Sequence, residues 1–264
     1  MSVEVIGYLL AVVIGISLGL IGGGGSILTV PILVYLFAIK PQVATSYSLF
    51  IVGISSLIGS YKHYKLGNLN LRSAVVFGIP SIASLLLVRK FVLPNIPNHL
   101  FSFQNFELTK NTLIMIFFAA LMIAASTSMI KEQNLKKVLS NPTQNKLILL
   151  GFLVGIVTGF LGAGGGFLII PALIFFAGLE MKQAVGTSLL IIGVNALIGF
   201  TGDLVNDVQI NFQLLVCLAT LATLGIFIGT YLSKKINGNK LKPAFGWFVL
   251  VMGIYIIAKE IFLK

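Results

Sequence analysis

Charge is what this chain has least of. Only 9% of its 264 residues are charged, where an ordinary soluble domain carries about 25%, so it lacks the polar surface a water-exposed fold requires. A single cysteine, Cys217, sits within an apolar run, which excludes a disulfide framework and a thiolate metal site. Two histidines, His63 and His99, fall in expected loops on opposite sides, so no metal centre and no cofactor is expected. Acids are scarce as well, seven Asp and Glu against eighteen Lys and Arg, for a net charge of +11. That excess does not point to nucleic acid. The basic residues cluster in short loops between apolar segments, which is the positive-inside pattern of membrane proteins. The first twenty residues carry Glu4 and lack both a basic leader and an Ala-x-Ala site, so they read as a first membrane segment rather than a removable signal.

What the chain does have is apolar length. Its composition is 57% hydrophobic with a mean hydropathy of +1.04. Most of its apolar runs are long enough to cross a hydrocarbon core of roughly 30 Å at about 1.5 Å per residue. The expected fold class is an all-α polytopic membrane protein, and the lipid bilayer is its first expected partner.

Shifted by 140 residues, the sequence matches itself. Between 15–59 and 155–199 there are 17 identities in 45 ungapped positions, and they align Gly15, Gly19, Gly22, Gly24, Gly25, Pro31 and Ser48 with Gly155, Gly159, Gly162, Gly164, Gly165, Pro171 and Ser188. Shared greasy composition does not align glycines and a proline in this way. The expected organisation is a first transmembrane repeat over 1–130, a cytoplasmic linker over 131–145 and a second repeat over 146–264. Each repeat reads as about five segments: Val3–Ile21, Ser26–Ile39, Val43–Ser60, Ser73–Leu93 and Thr109–Ile130, then Lys146–Leu161, Phe167–Leu179, Ala184–Thr201, Phe212–Ser233 and Pro243–Phe262. An odd number per repeat predicts halves of opposite orientation. Loop charge agrees. Lys62, Lys65 and Arg72 occupy one loop without an acid, while the equivalent loop, Gly202–Asn211, has Asp203 and Asp207 without a base. This is the signature of an inverted-topology repeat. Arg89 and Lys90, near the outer end of the fourth segment, run against it.

The second segment of each half has only 14 or 13 residues, roughly 20 Å of helix, too short to span unaided. In front of it stands Gly-Leu-Ile-Gly-Gly-Gly-Gly-Ser at 19–26 or Gly-Phe-Leu-Gly-Ala-Gly-Gly-Gly at 159–166. Neither is a nucleotide loop, because the Lys-Ser/Thr of a P-loop and the third glycine of the dinucleotide motif are missing. Consecutive small residues release the backbone from helical geometry. At membrane depth such backbone persists only where protein buries it or where it lines a cavity. Each segment is therefore expected to be a glycine-broken half-helix with free N–H groups and a positive dipole end suited to an anion.

The candidate substrate-lining residues are Gly22, Gly23, Gly24, Gly25 and Ser26, with Gly162, Gly164, Gly165 and Gly166. Gly15, Gly19, Gly155 and Gly159 read instead as close helix packing. Thr45, Ser46 and Ser48, with Thr187 and Ser188, are either helix N-caps or neutral donors to an oxyanion. Ser55 and Asn195, paired by the repeat, are either cavity residues or partners in a helix–helix hydrogen bond. No Asp, Glu, Lys or Arg stands in the middle of an expected span, which leaves an anion to be held by dipoles and hydroxyls. Asp203 aligns with His63 and has no evident catalytic partner.

The pattern Gly-x-x-x-Gly-x-x-Gly-x-Gly-Gly-Gly/Ser-x-x-x-x-Pro, followed by Ala-Val-Gly-Thr-Ser-Leu at 184–189, resembles the TauE/SafE family of sulfite exporter-like permeases over about 7–262. The first half departs from it, with Ala-Thr-Ser-Tyr-Ser-Leu at 44–49. The resemblance implies a secondary transporter of the bacterial cytoplasmic membrane, multi-pass, carrying a small anion such as sulfite or a sulfonate. It carries the family's glycine breaks onto Gly22–Ser26 and Gly162–Gly166, and its Thr-Ser element onto Thr187–Ser188. A homodimer and a coupling ion, H+ or Na+, are both compatible with the sequence. The rivals are a non-transporting membrane scaffold or assembly factor, a permease for an unrelated solute, and a membrane-embedded enzyme. The enzyme would need a nucleophile with its base, a carboxylate pair or a metal cluster within the spans, and the sequence offers none.

Overall fold

In the computed structural model the described residues are 2–22, 26–103, 106–130, 144–161, 166–204, 210–233 and 238–262. They form helices α1 (Ser2–Ile21), α2 (Ser26–Tyr35), α3 (Pro41–Lys65), α4 (Leu71–Leu87), a π-helical turn (Val88–Val92) and the short α5 (Leu93–Asn95). A hairpin of β1 (His99–Phe103) and β2 (Phe106–Thr109) follows, then α6 (Lys110–Ile130). The second half comprises α7 (Gln144–Leu161), α8 (Gly166–Ala177), α9 (Met181–Leu204), α10 (Phe212–Leu232) and α11 (Gly238–Phe262). The antiparallel hairpin, with Ser102 opposite Glu107, is the one departure from an all-helical chain among the described residues. It occupies the expected loop Pro94–Leu108, where two prolines remove the donors a continuing helix needs.

Five elements are long and apolar enough to cross a membrane: α3, the continuous rod Leu71–Asn95, α7, α9 and α10. Shorter apolar stretches lie in α1 (Val5–Ile21) and α6 (Lys110–Ala124). Large apolar side chains face outward, among them Leu9 on α1, Ile79 on α4, Leu149 on α7 and Leu224 on α10. An outer surface of this kind suits hydrocarbon and not water. The protein is a multi-pass α-helical membrane protein.

Burial separates core from periphery. In α3 and α9, 72% of the apolar window is buried, against 39% in α7 and α10 and 44% in the α4 rod. α3 and α9 are therefore the central pair, and they are equivalent helices of the two repeats. They run antiparallel. Gly53 faces Leu197, Gly193 faces Leu57, and the rings of Phe50 and Phe200 meet at 4.9 Å.

Other pairings come in matched sets when the halves are exchanged: α1 on α10 with α7 on α4, α3 on α10 with α9 on α4, and α2 on α3 with α8 on α9. Each repeat thus packs its first helix on the fourth-segment helix of the other repeat. Small residues make those seams possible. A Cβ on Gly15 would lie 1.9 Å from the Ala222 carbonyl oxygen, and one on Gly155 would lie 2.1 Å from that of Ser81. The expectation that the Gly15/Gly19 and Gly155/Gly159 pairs serve close packing describes these contacts.

α2 and α8 are short because each is cut at both ends. Their last turns close on residues of left-handed backbone, Ala38 (φ 50°) and its repeat equivalent Gly178 (φ 66°). Ile39 N–H then donates back to the Leu33 carbonyl, as Leu179 N–H does to that of Leu173.

Candidate functional site: the contact between the two glycine breaks and the central helix pair

α1 ends where Gly22 adopts φ +75° and donates its N–H to the Leu18 carbonyl at 2.8 Å. A side chain is excluded here twice over. The left-handed backbone disfavours it, and a Cβ would meet Ile170 Cδ1 at 2.9 Å and Ser188 Oγ at 3.0 Å. The break of the first half therefore lies against α8 and the Thr187–Ser188 element of the second half. α2 and α8 also touch one another. Ser26 and Gly166, the first residues of these helices, are both buried. Gly23, Gly24, Gly25, Gly162, Gly164 and Gly165 lie outside the described residues.

The expected hydroxyls divide into committed and uncommitted groups. Thr45 Oγ1 donates to the Gln42 carbonyl at 2.7 Å, one turn back. Ser188 Oγ does the same toward Val185 at 2.9 Å. Thr187 Oγ1 accepts from the Asn70 N–H at 3.0 Å. Ser46 donates to the Asp203 carboxylate. Ser48 Oγ is fully buried and has no hydrogen-bond partner among the described residues, as is also true of Thr29 and Ser56. Ser55 donates to its own helix at Ile51 (2.7 Å). Asn195 reaches across to α4, its Nδ2 donating to Ser81 Oγ at 2.6 Å, while its Oδ1 accepts nothing. Buried hydroxyls and carbonyls without partners are uncommon in folded proteins. Here the unpartnered hydroxyls lie on α2 (Thr29) and α3 (Ser48 and Ser56).

Three residues stand differently from the sequence expectation. Asp203, expected in a loop, lies in the last turn of α9, accepting from Ser46 and ion-paired with Arg89. Arg89, expected at the outer end of a span, is carried inward by the π-turn and is 5% exposed, while the next residue, Lys90, is exposed. His63, expected in a loop, belongs to α3, is 4% exposed, and neither ring nitrogen has a partner among the described residues. Helix caps explain the longer helices: α3 is closed by Leu66 N–H on His63 and Tyr64, and its apolar face continues past Ser60.

A cavity of about 400 Å³ is lined by Asn70, Arg72, Ser73, Val76, Gln144, Leu147 and Ala177. Asn70 is the N-cap of α4, its side chain accepting from Ser73 N–H at 2.9 Å, so this cavity opens beside the Thr187 element. At the other end of the α3–α9 pair the equivalent N-cap, Asn211 of α10, donates its N–H to the Tyr47 hydroxyl, beside the buried Arg89–Asp203 pair. Among the described residues no group of three or more metal-ligating side chains gathers.

The sulfite exporter TauE/SafE family matches the chain over residues 7–256. The chain belongs to the TauE/SafE family. It is 30% identical over 247 residues to a probable membrane transporter protein of Xylella fastidiosa (strain Temecula1), which covers 92% of this chain and 91% of that one. Similar proteins of the same description occur in Methanocaldococcus jannaschii, 25% identical over 94% of both chains, and in Bacillus subtilis, 26% identical over 92% of this chain and 96% of that one. This TauE/SafE chain is thus a membrane transporter.

Proposed function

We propose that the protein is a secondary transporter of the bacterial cytoplasmic membrane that exports a small anion, sulfite or an organosulfur anion such as a sulfonate. The anion binds between the α2 and α8 N-termini, where the Gly22 break meets Ser188 across the repeat interface. That contact carries the reading, because it places broken backbone of one half against a hydroxyl-bearing helix of the other. Helix N-termini favour anions through free N–H groups and the macrodipole, and broken helices at a repeat interface are a recurrent seat of transporter substrates. The unpartnered hydroxyls of Ser48 and Thr29 add neutral donors.

The two halves lie inverted in the bilayer, a reading supported by the antiparallel α3 and α9 and by loop charge. With Lys62, Lys65 and Arg72 on the cytoplasmic side, the 400 Å³ cavity becomes a cytoplasmic vestibule and the Arg89–Asp203 end faces outward. Rocking of the halves about the central pair then exposes the site alternately. An inside-negative potential favours anion exit by about 2.3 kcal/mol per charge per 100 mV, so export needs no ATP.

The test is sulfite flux in proteoliposomes under an imposed potential, for the unaltered protein and for Gly22→Val. Potential-dependent flux that the substitution abolishes is expected. Absence of flux for sulfite, sulfate, thiosulfate and small sulfonates alike would overturn the anion reading.

A further inference from the structure

The buried ion pair does more than link two helices. Arg89 is 5% exposed yet uses only one nitrogen, Nη1, on Asp203. Its Nε and Nη2 have no partner among the described residues. Its neighbours offer them nothing: Val88 and Leu93, flanking it on the rod, pack with Ile114 of α6 and with Ile156 and Phe160 of α7. The polar groups that reach it are Asp203 of α9 and, through the same carboxylate oxygen, Ser46 of α3. A guanidinium is built for two-point contact with an oxyanion, and leaving its donors unmade in a dry site is costly. The π-turn that carries it, closed by Leu93 N–H on the Val88 carbonyl, is the kind of widened turn that recurs at functional positions.

We infer that Arg89 is a second anion-binding station, at the end of the pathway opposite the cavity, which takes the transported oxyanion in a two-point contact as Asp203 lets go. This rests on the anion-transport reading above. Asp203 is a carboxylate already resident on the fork, so it competes with the travelling anion for the same cation. While it is bound, Asp203 ties α9 to the rod, with Ser46 of α3 on the same carboxylate oxygen, and keeps that end shut. When an oxyanion replaces it, the tie is released and the end opens. Gate and binding site are thus one ion pair, and no second cation is required.

Full-length protein carrying Asp203→Asn or Arg89→Lys is compared with the unaltered chain in two measurements, sulfite-dependent thermal unfolding in detergent and KM for sulfite flux in proteoliposomes. Asp203→Asn is expected to lower Tm without ligand, to recover it on adding sulfite by more than the unaltered protein gains, and to lower KM by about threefold or more, because the competing state is gone. Arg89→Lys keeps the charge but loses the fork, and KM is expected to rise at least roughly tenfold. A merely structural pair predicts otherwise: Asp203→Asn stays destabilised whatever the sulfite concentration and its KM does not fall. That result overturns the inference even if Arg89→Lys fails to fold, and an unchanged KM in a folded Arg89→Lys does so independently. In either case the transport reading stands. Should the unaltered protein neither carry nor be stabilised by sulfite, sulfate, thiosulfate or small sulfonates, the anion reading falls and this inference with it.

Discussion

At one end of the central helix pair Ser46 meets Asp203, and at the other Gly186 meets His63. These are the same two positions of the repeat, related by the 140-residue shift, and each contact is made by the same turn of the same helix. Their chemistry has nothing in common. The Asp203 end is held by charge, with Ser46 and Arg89 both on one carboxylate. The His63 end is held by close approach: a Cβ on Gly186 would sit 2.0 Å from the Asn68 carbonyl oxygen and 2.9 Å from His63 Cβ. Even the bonds to the N-caps are matched in geometry and changed in residue, with Tyr47 receiving the Asn211 N–H and Thr187 receiving that of Asn70. The 140-residue shift relates the two contacts, and their side chains make them unequal.

The comparison breaks most severely at Asp203. Replacing it with Leu leaves Arg89 buried without its counter-charge, and a loss of about 3–5 kcal/mol of stability is expected, read as a collapse in Tm or in folded yield from detergent. Making the His63 end resemble its counterpart by Gly186→Ser forces a side chain onto the Asn68 carbonyl. A cost of about 1–3 kcal/mol is expected from overpacking, read as a lowered Tm in detergent, and Ser46→Ala, which creates no such clash, should lower Tm by less. His63→Leu removes ring nitrogens that have no partner, so stability should stay within about 1.5 kcal/mol of the unaltered value in thermal unfolding; a larger loss would show that the imidazole is bonded in the working protein. The smallest effect is expected in the loops that lead into the pair. Ala38 holds φ 50° where the other half has Gly178, and Ala38→Gly should raise stability by about 0.5 kcal/mol once the entropy of glycine is set against the relieved strain.

The short second helices, the break at Gly22 and the repeat were legible in the residues because they depend on local pattern. The short α2 and α8 follow from Gly22 and from the Ala38 and Gly178 turns, and the Gly15 and Gly155 seams from small residues one turn apart. Asp203 was not legible as the partner of a buried ion pair. Its partners Arg89 and Ser46 lie 114 and 157 residues away, and charge pattern assigned it to a loop. Arg89 was misplaced for a related reason, since one π-turn shifts the face a residue presents. His63 was read with its basic neighbours Lys62 and Lys65, although one side of the helix is buried there and the other is exposed. The loop after Asp203 is also one residue longer than the loop after His63, so that Asn70 corresponds to Asn211 and the repeat shift becomes 141.

Sequence alone determined that this chain lives in a membrane, that it is two copies of one pattern, and where each copy breaks its second helix. Those properties come from hydropathy, periodicity and glycine, which act within a few residues of themselves. Tertiary structure alone decided which end of the α3–α9 pair closes by charge and which by backbone contact. Buried partners at such distances are chosen by how helices cross, and no stretch of sequence contains that crossing.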